Sequence, residues 1–289
     1  MGYNFSMQTM TEKIRRLCSG AELDLRKTFE CGQCFRWREV SPGRWFGVAS
    51  GRAAELYEQA GEVYISCGEE DLGFWRGYFD LDRDYGALKL TSPYLRDCAE
   101  FGAGIRILRQ DAWEALCSFI ISQCNNIRRI TSIVERLCAQ FGREAVNVNG
   151  VYRIFPEPEI LAALEPEDLA ELRCGYRAPY IISAARAVDG GALDLERLST
   201  LSHSKVLHEL IELPGVGPKV ANCVILYGLG NMSGFPVDVW MRRALKEHFP
   251  TDFDPASLGE LAGLAQQYMF YYERSKSKES RAGALPAAT

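Results

Sequence analysis

Polar and apolar positions change their spacing about a quarter of the way along the chain. In the first part, "FRWREV" (35–40), "RWFGVAS" (44–50) and "EVYISC" (62–67) are aromatic and β-branched runs, separated by the turn formers "SPGR" and "QAGE". Such residues fit a pleated, half-buried surface, so they predict an antiparallel β-rich unit over residues 20–68. From about residue 70 the apolar spacing becomes helical. "DAWEALCSFIISQCNNIRRITSIVERLCAQFG" (111–142) carries a helical stripe that ends on glycine, and its polar "QCNN" predicts a break into two helices. "EPEDLAEL" (165–172), "APYIISAARAVDGG" (178–191) and "SKVLHELIEL" (204–213) predict further short helices. "TSPYLRDCAEFGAGIRI" (91–107) bridges the two parts. The end, from residue 276 to 289, is polar and rich in small residues and reads as a disordered tail.

The chain has 289 residues, 47% hydrophobic and 25% charged, within the range of a globular protein. Its longest apolar runs fall short of the roughly 20 residues a membrane span needs. The first residues, "MGYNFSMQTMTEKIRRLC", have no apolar signal core, so a cytoplasmic protein is expected, nucleoid-associated if bacterial. Ten cysteines are scattered singly and read as reduced thiols. Cys31 and Cys34 have CxxC spacing, but no second ligand pair follows for zinc, and no cysteine follows Cys223 to build an iron–sulfur site. No metal and no cofactor is expected.

Net charge is −5, which by itself argues against a polyanionic partner. The distribution changes that. Residues 51–86 hold nine acids against three arginines, whereas residues 103–143 hold six arginines (106, 109, 128, 129, 136, 143) against three acids. A phosphate-binding face needs local positive charge only.

"SKVLHELIEL–PGVG–PKVANCVILYGLG" reads as helix, tight turn, helix. Gly215 and Gly217 permit positive φ and close backbone approach. Pro218 suits the first turn of the second helix, whose leading amides have no partner within the helix and form an anion site. A DNA phosphate at Gly215, Gly217 and the amide of Val220 is the expected guest. Lys219 is then either a phosphate clamp or a nucleophile. Asp238, 19 residues on, stands just before the next helix in "FPVDVWMRRAL"; alone it reads as an N-cap, yet it can return to face Lys219.

Together "CGQCFRW", "LRQDAWEALCSFIISQCNNIRRI", "CGYRAPYI", "LPGVGPKVANC", "PVDVWMRRAL" and "LAQQYMF" resemble, in order and spacing, the helix–hairpin–helix DNA glycosylases, and among them the 8-oxoguanine DNA glycosylase/AP lyases. The resemblance covers about residues 20–275. It implies an α+β fold, with an N-terminal antiparallel β-rich domain (1–100) followed by an all-helical helix–hairpin–helix glycosylase body (101–275). It implies a monomer acting on double-stranded DNA that contains 8-oxoguanine, preferably opposite cytosine. It implies Lys219 as nucleophile and Asp238 as catalytic carboxylate. Gly32, whose carbonyl would accept the N7 hydrogen, forms the base pocket with Phe35, Cys223, Gln266 and Phe270. Arg129, Tyr176 and Arg177 would lie at the gap left by the flipped base and at the opposite cytosine. Burial and the helix dipole would lower the pKa of Lys219, and a thiolate–ammonium pair with Cys223 could form. Two residues depart from the pattern: Cys124 replaces a gap-filling Asn, and Trp240 replaces a His. The alternatives are a glycosylase for another damaged base, or a helix–hairpin–helix module without catalysis; the latter leaves Asp238 and Cys223 unexplained.

Overall fold

The computed structural model describes residues 13–86 and 92–283, with side chains described for 14–86 and 92–277. Seven strands fall in two sheets. β1 (Lys13–Ser19), β2 (Trp37–Ser41), β3 (Arg44–Ala49), β4 (Arg52–Gln59) and β5 (Glu62–Cys67) form an antiparallel sheet in the order β1-β5-β4-β3-β2. β6 (Glu144–Asn147) and β7 (Gly150–Arg153) make a separate hairpin. Twelve α-helices are described. In the first half these are α1 (Leu25–Glu30), α2 (Leu72–Tyr78), α3 (Pro93–Phe101), α4 (Ala112–Ile121), α5 (Ile127–Phe141) and α6 (Pro158–Ala162). In the second half they are α7 (Ala178–Asp189), α8 (Leu195–Leu198), α9 (His203–Ile211), α10 (Pro218–Cys223), α11 (Val239–His248) and α12 (Ala262–Gly283).

Two of the five strands are not obvious in the sequence. β1 carries a bulge between Arg16 and Cys18, which breaks its alternation. β4 is rich in Ala and Glu, weak strand formers, and is held by pairing to β3 on one side and β5 on the other. The sheet packs α1 and α2 around an aromatic core. Phe29 stacks on Trp37 at 4.3 Å, and Trp37 meets Trp75 edge-on at 5.7 Å. Trp37 Nε1 donates to Tyr78 OH (2.9 Å), which satisfies the one polar atom of that ring. A Cβ on Gly47 would lie 2.1 Å from Trp37, so only glycine lets β3 pass under the indole.

A second core joins the remaining helices, with Leu116, Ile120, Ile133, Leu137, Ile181 and Leu226 fully or almost fully buried. Leu95 and Cys98 of α3 belong to this core, although residues 93–100 were assigned to the N-terminal domain from sequence. The break at "QCNN" is real. α4 stops at Ile121, and Asn126 caps α5 by accepting from Arg129 N (3.0 Å). The tail expectation needs correction: α12 continues through residues 276–283, and 284–289 lie outside the described residues. No helix among the described residues is long and apolar enough to cross a membrane. All ten cysteines are free, nine of them buried and Cys124 exposed.

Candidate active site

The hairpin runs from α9 through Pro214–Gly217 into α10. Gly215 has φ +79°, and a Cβ there would lie 2.3 Å from the Tyr180 ring, so the turn needs glycine twice over. Gly217 behaves differently from the expectation. Its φ is −94°, it caps α10, and nothing lies within 4 Å of where its Cβ would be. Its bareness leaves room on the outer side of the turn rather than relieving strain. The Val220 side chain is buried in the core, and its main-chain N–H belongs to the first turn of α10, whose leading amides have no partner within the helix. The first turn of α10 runs into a π-helical turn, Val224–Gly228, closed by Leu229 N donating to Val224 O (2.9 Å). That turn packs against α4.

Lys219 is half-buried on the first turn of α10. Its Nζ donates to Ser122 Oγ (3.2 Å) and stands 5.3 Å over the Phe119 ring. Phe119 in turn meets Phe35 edge-on (5.8 Å) and stacks on Tyr227 (5.4 Å). One turn after Lys219, Cys223 is buried and feels both charges of the site. Burial pushes its thiol pKa up, Lys219 pulls it back in part, and Asp238 raises it. The net shift is upward, which disfavours the thiolate that a thiolate–ammonium pair with Lys219 would need. Asp238 caps α11, its Oδ1 accepting from Met241 N at 2.9 Å. Cap and charge therefore coexist in one carboxylate.

A second set of contacts joins α12 to the turn after α1. Gly32, at φ +90°, sits against Phe270: a Cβ would lie 3.5 Å from the Phe270 ring and 3.0 Å from Ile127 Cδ1. Gln266, one turn before Phe270, is buried rather than solvated. Its Nε2 donates to Pro236 O (3.1 Å), two residues before Asp238, while its Oε1 is buried without a partner. An orphaned buried acceptor costs about 1–3 kcal/mol, a cost that a donor from a guest would remove. Contacts thus link Lys219 to Phe35 through Phe119, Gly32 to Phe270, and Gln266 to the carbonyl of Pro236, two residues before Asp238.

The gap residues divide. Tyr176 is 53% exposed and carries the Arg177 guanidinium over its ring at 4.4 Å. Arg177 is not free, contrary to expectation. It is buried and donates to the carbonyls of Gln123 (Nε, 2.8 Å), Cys174 (3.0 Å) and Cys124 (3.3 Å). Arg129 is exposed, donates to Arg173 O (3.4 Å), and joins Arg128, Arg136, Arg173, Asn126 and Ser132 around a basic concavity of about 580 Å³. Two arginines of the basic stretch drop out of any phosphate face. Arg106 is buried against Tyr85 and donates to Phe79 O and Arg83 O, and Arg109 pairs with Asp80. Trp240 carries Arg243 over its ring at 5.6 Å.

Sequence reasoning missed Ser122, which holds Lys219, and Gln123, whose Nε2 donates to the hairpin carbonyl of Gly215 (2.9 Å). Both lie in a motif already singled out, "SQCNN", and polar residues beside a helix break were the available signal.

Two family descriptions match the chain: the N-terminal domain of 8-oxoguanine DNA glycosylase over residues 16–116, and the HhH-GPD superfamily base excision DNA repair protein over residues 117–262. The N-glycosylase/DNA lyase of Saccharomyces cerevisiae is 34% identical over 87% of this chain and 75% of its own. The chain belongs to the 8-oxoguanine glycosylase/DNA lyase family. Among solved members, the 8-oxoguanine glycosylase/lyase of Clostridium acetobutylicum, in complex with double-stranded DNA containing cytosine opposite 8-oxoguanine, matches with a TM-score of 0.84. It is 34% identical, and the match covers 92% of this chain and 97% of that one. A structure named MBOgg1, bound to a low-affinity DNA ligand, matches with a TM-score of 0.85 and 40% identity over 96% of this chain and all (100%) of that one. The family's glycosylase body thus begins inside α4, the helix that ends beside Lys219.

Proposed function

We propose that this protein removes 8-oxoguanine from duplex DNA, preferably opposite cytosine, and then cleaves the strand at the abasic site. The observation that supports the reading is the setting of Lys219, half-buried at the start of α10 with its Nζ donating to Ser122 Oγ (3.2 Å) and the buried Cys223 one turn further along. A base inside a duplex is out of reach, so the nucleotide is extruded at a cost of a few kcal/mol that pocket contacts offset. The room beside Gly217 and the leading amides of α10 take a backbone phosphate, and the basic concavity around Arg129 faces the other strand. The extruded base enters between Phe270 and Cys223, where a neutral thiol offers a soft, polarisable surface. The Gln266 Oε1 orphan accepts from the base's Watson–Crick edge.

Lys219 Nζ then attacks C1′ of the sugar, and the glycosidic bond breaks with its electron pair leaving on the base. The carboxylate of Asp238 offsets the positive charge that develops at the sugar. The amine retained on C1′ becomes an iminium as the ring opens. This acidifies the neighbouring C2′–H, and loss of that proton expels the 3′ phosphate. Ser122 aims the amine, because its hydroxyl donates to Phe119 O (2.7 Å) and so presents only a lone pair to Nζ.

Excision from duplexes holding 8-oxoguanine opposite each of the four bases tests the reading. Release fastest opposite cytosine is expected; no release from any of them would refute it. Lys219→Gln should bind lesion DNA while losing base release and strand cleavage by at least about a thousandfold. Asp238→Asn keeps an N-cap of equal quality, so α11 should persist while single-turnover excision falls about 100- to 1,000-fold. An unchanged rate would reduce Asp238 to its capping role.

A further inference from the structure

We infer that Gln33 is the positioning residue that fixes the Gly32 carbonyl in the base pocket, and so sets selectivity for a base carrying hydrogen at N7. The inference rests on the proposed function and deepens it. Gln33 is fully buried (0% exposed), uncommon for an uncharged amide unless every polar atom is used. Its Nε2 donates to Arg106 O (2.8 Å) and Thr28 O (3.1 Å) and touches Cys31 Sγ (3.3 Å). Its Oε1 accepts from Leu108 N (2.9 Å), and its main-chain oxygen accepts from Gln110 Nε2 (2.7 Å). The side chain thus staples the turn between α1 and β2 to the segment 106–110.

The Gly32 carbonyl and the Gln33 N–H share one rigid peptide plane. Whatever holds Gln33 on both its side chain and its own carbonyl therefore fixes the direction of the Gly32 oxygen. Gly32 itself cannot, since glycine at φ +90° leaves the backbone free to rotate. The staple also reaches the catalytic side. Gln110 N donates to Tyr227 O (2.8 Å), in the π-helical turn that follows Lys219 and Cys223. A carbonyl held still rewards N–H at N7 and opposes the lone pair that guanine places there. A carbonyl free to swing does neither well.

Two variants test this, Gln33→Leu and Gln110→Leu, each measured in single turnover on two substrates: duplex DNA with 8-oxoguanine opposite cytosine, and the same duplex with a preformed abasic site. Cleavage at the abasic site needs Lys219 but no base contact, so it reports folding and chemistry without recognition. For Gln33→Leu, excision should fall about 100-fold while abasic cleavage falls no more than about threefold, as expected for a misaimed recognition group. Gln110→Leu removes one bond to the same residue and should lower excision about two- to tenfold, again with abasic cleavage kept. The ratio of binding to 8-oxoguanine over guanine duplexes should shrink in the same order. Excision and abasic cleavage falling in parallel in both variants would overturn the positioning role, as would excision at the wild-type rate in Gln33→Leu. Wild-type protein that cleaves abasic DNA but releases no 8-oxoguanine would instead remove the functional reading, and this inference with it.

Discussion

The turn Cys31–Cys34, which lies against Phe270, and the loop Ser122–Asn126, which reaches Lys219, are built on opposite principles. The turn is buried, and its one unusual conformation falls on a glycine, at φ +90°. Its Gln33 side-chain amide is saturated by the carbonyl of Thr28 and by backbone groups of the distant residues Arg106 and Leu108. The loop carries a non-glycine residue in the left-handed region, Cys124 at φ +47°, and that residue is exposed. Its shape is held by Arg177, whose guanidinium gathers the carbonyls of Gln123, Cys124 and Cys174, and by Gln123, which reaches the hairpin. A group that reads one atom of a base needs a fixed position. The loop instead combines a strained residue with two long side chains, Arg177 and Gln123, that tie it to its surroundings. α4 spans the two: the segment stapled by Gln33 leads into it, and the loop leaves it.

The contrast can be broken most severely at Arg177. Arg177→Ala removes charge-assisted hydrogen bonds to three carbonyls, one buried and two part-buried, so denaturant unfolding should report a loss on the order of 4 kcal/mol. Preference for cytosine should fall with it. A loss below about 1 kcal/mol would mean the loop holds its shape without the guanidinium.

A smaller effect should come from the beam itself. Glu114 on α4 is buried, and burial pushes its pKa to about 7, against partial compensation by Arg36, whose guanidinium stands 4.0 Å away. The folded pKa exceeds the unfolded value of about 4.5. The folded state therefore prefers the protonated form, and stability is fullest below about pH 4.5 and declines as pH rises to about 7. The decline from this group is on the order of 3 kcal/mol. Glu114→Gln should flatten that part of the pH–stability curve. An unaltered slope in the variant would show that another group carries it.

The mildest change puts into the loop the Asn that the family resemblance leads one to expect at position 124. Asn tolerates the left-handed region better than Cys, so Cys124→Asn should stabilise the protein by about 0.5–1 kcal/mol. It should also raise the cytosine-over-adenine excision ratio by a factor of about two to ten, the worth of one hydrogen bond. An identical ratio in the two proteins would place residue 124 away from the gap.

The same contrast explains what the sequence disclosed. The hairpin, the break at residues 123–126 and the capping of α11 by Asp238 were legible because each depends on short-range signals: glycine, proline, caps and helical period. Gln266 entered the base pocket only through the family resemblance, because burial of a polar residue depends on what packs over it. Arg177 looked like a DNA contact, because sequence shows a guanidinium's charge but not the three carbonyls it meets. β4 was invisible for a similar reason: its Ala and Glu are strand residues only because β3 and β5 lie on either side. Gln33 gave no signal of its own, since its partners at 28, 106, 108 and 110 lie at the two ends of the β-rich unit.

The nucleophilic role of Lys219 is most directly exposed by borohydride reduction during reaction with a duplex holding a single 8-oxoguanine opposite cytosine. Borohydride reduces an iminium to a stable amine, so wild-type protein should become covalently joined to DNA and migrate as a heavier species, while Lys219→Gln should give none. An adduct of equal yield in Lys219→Gln, or base release by the wild type with no adduct at all, would contradict the assignment.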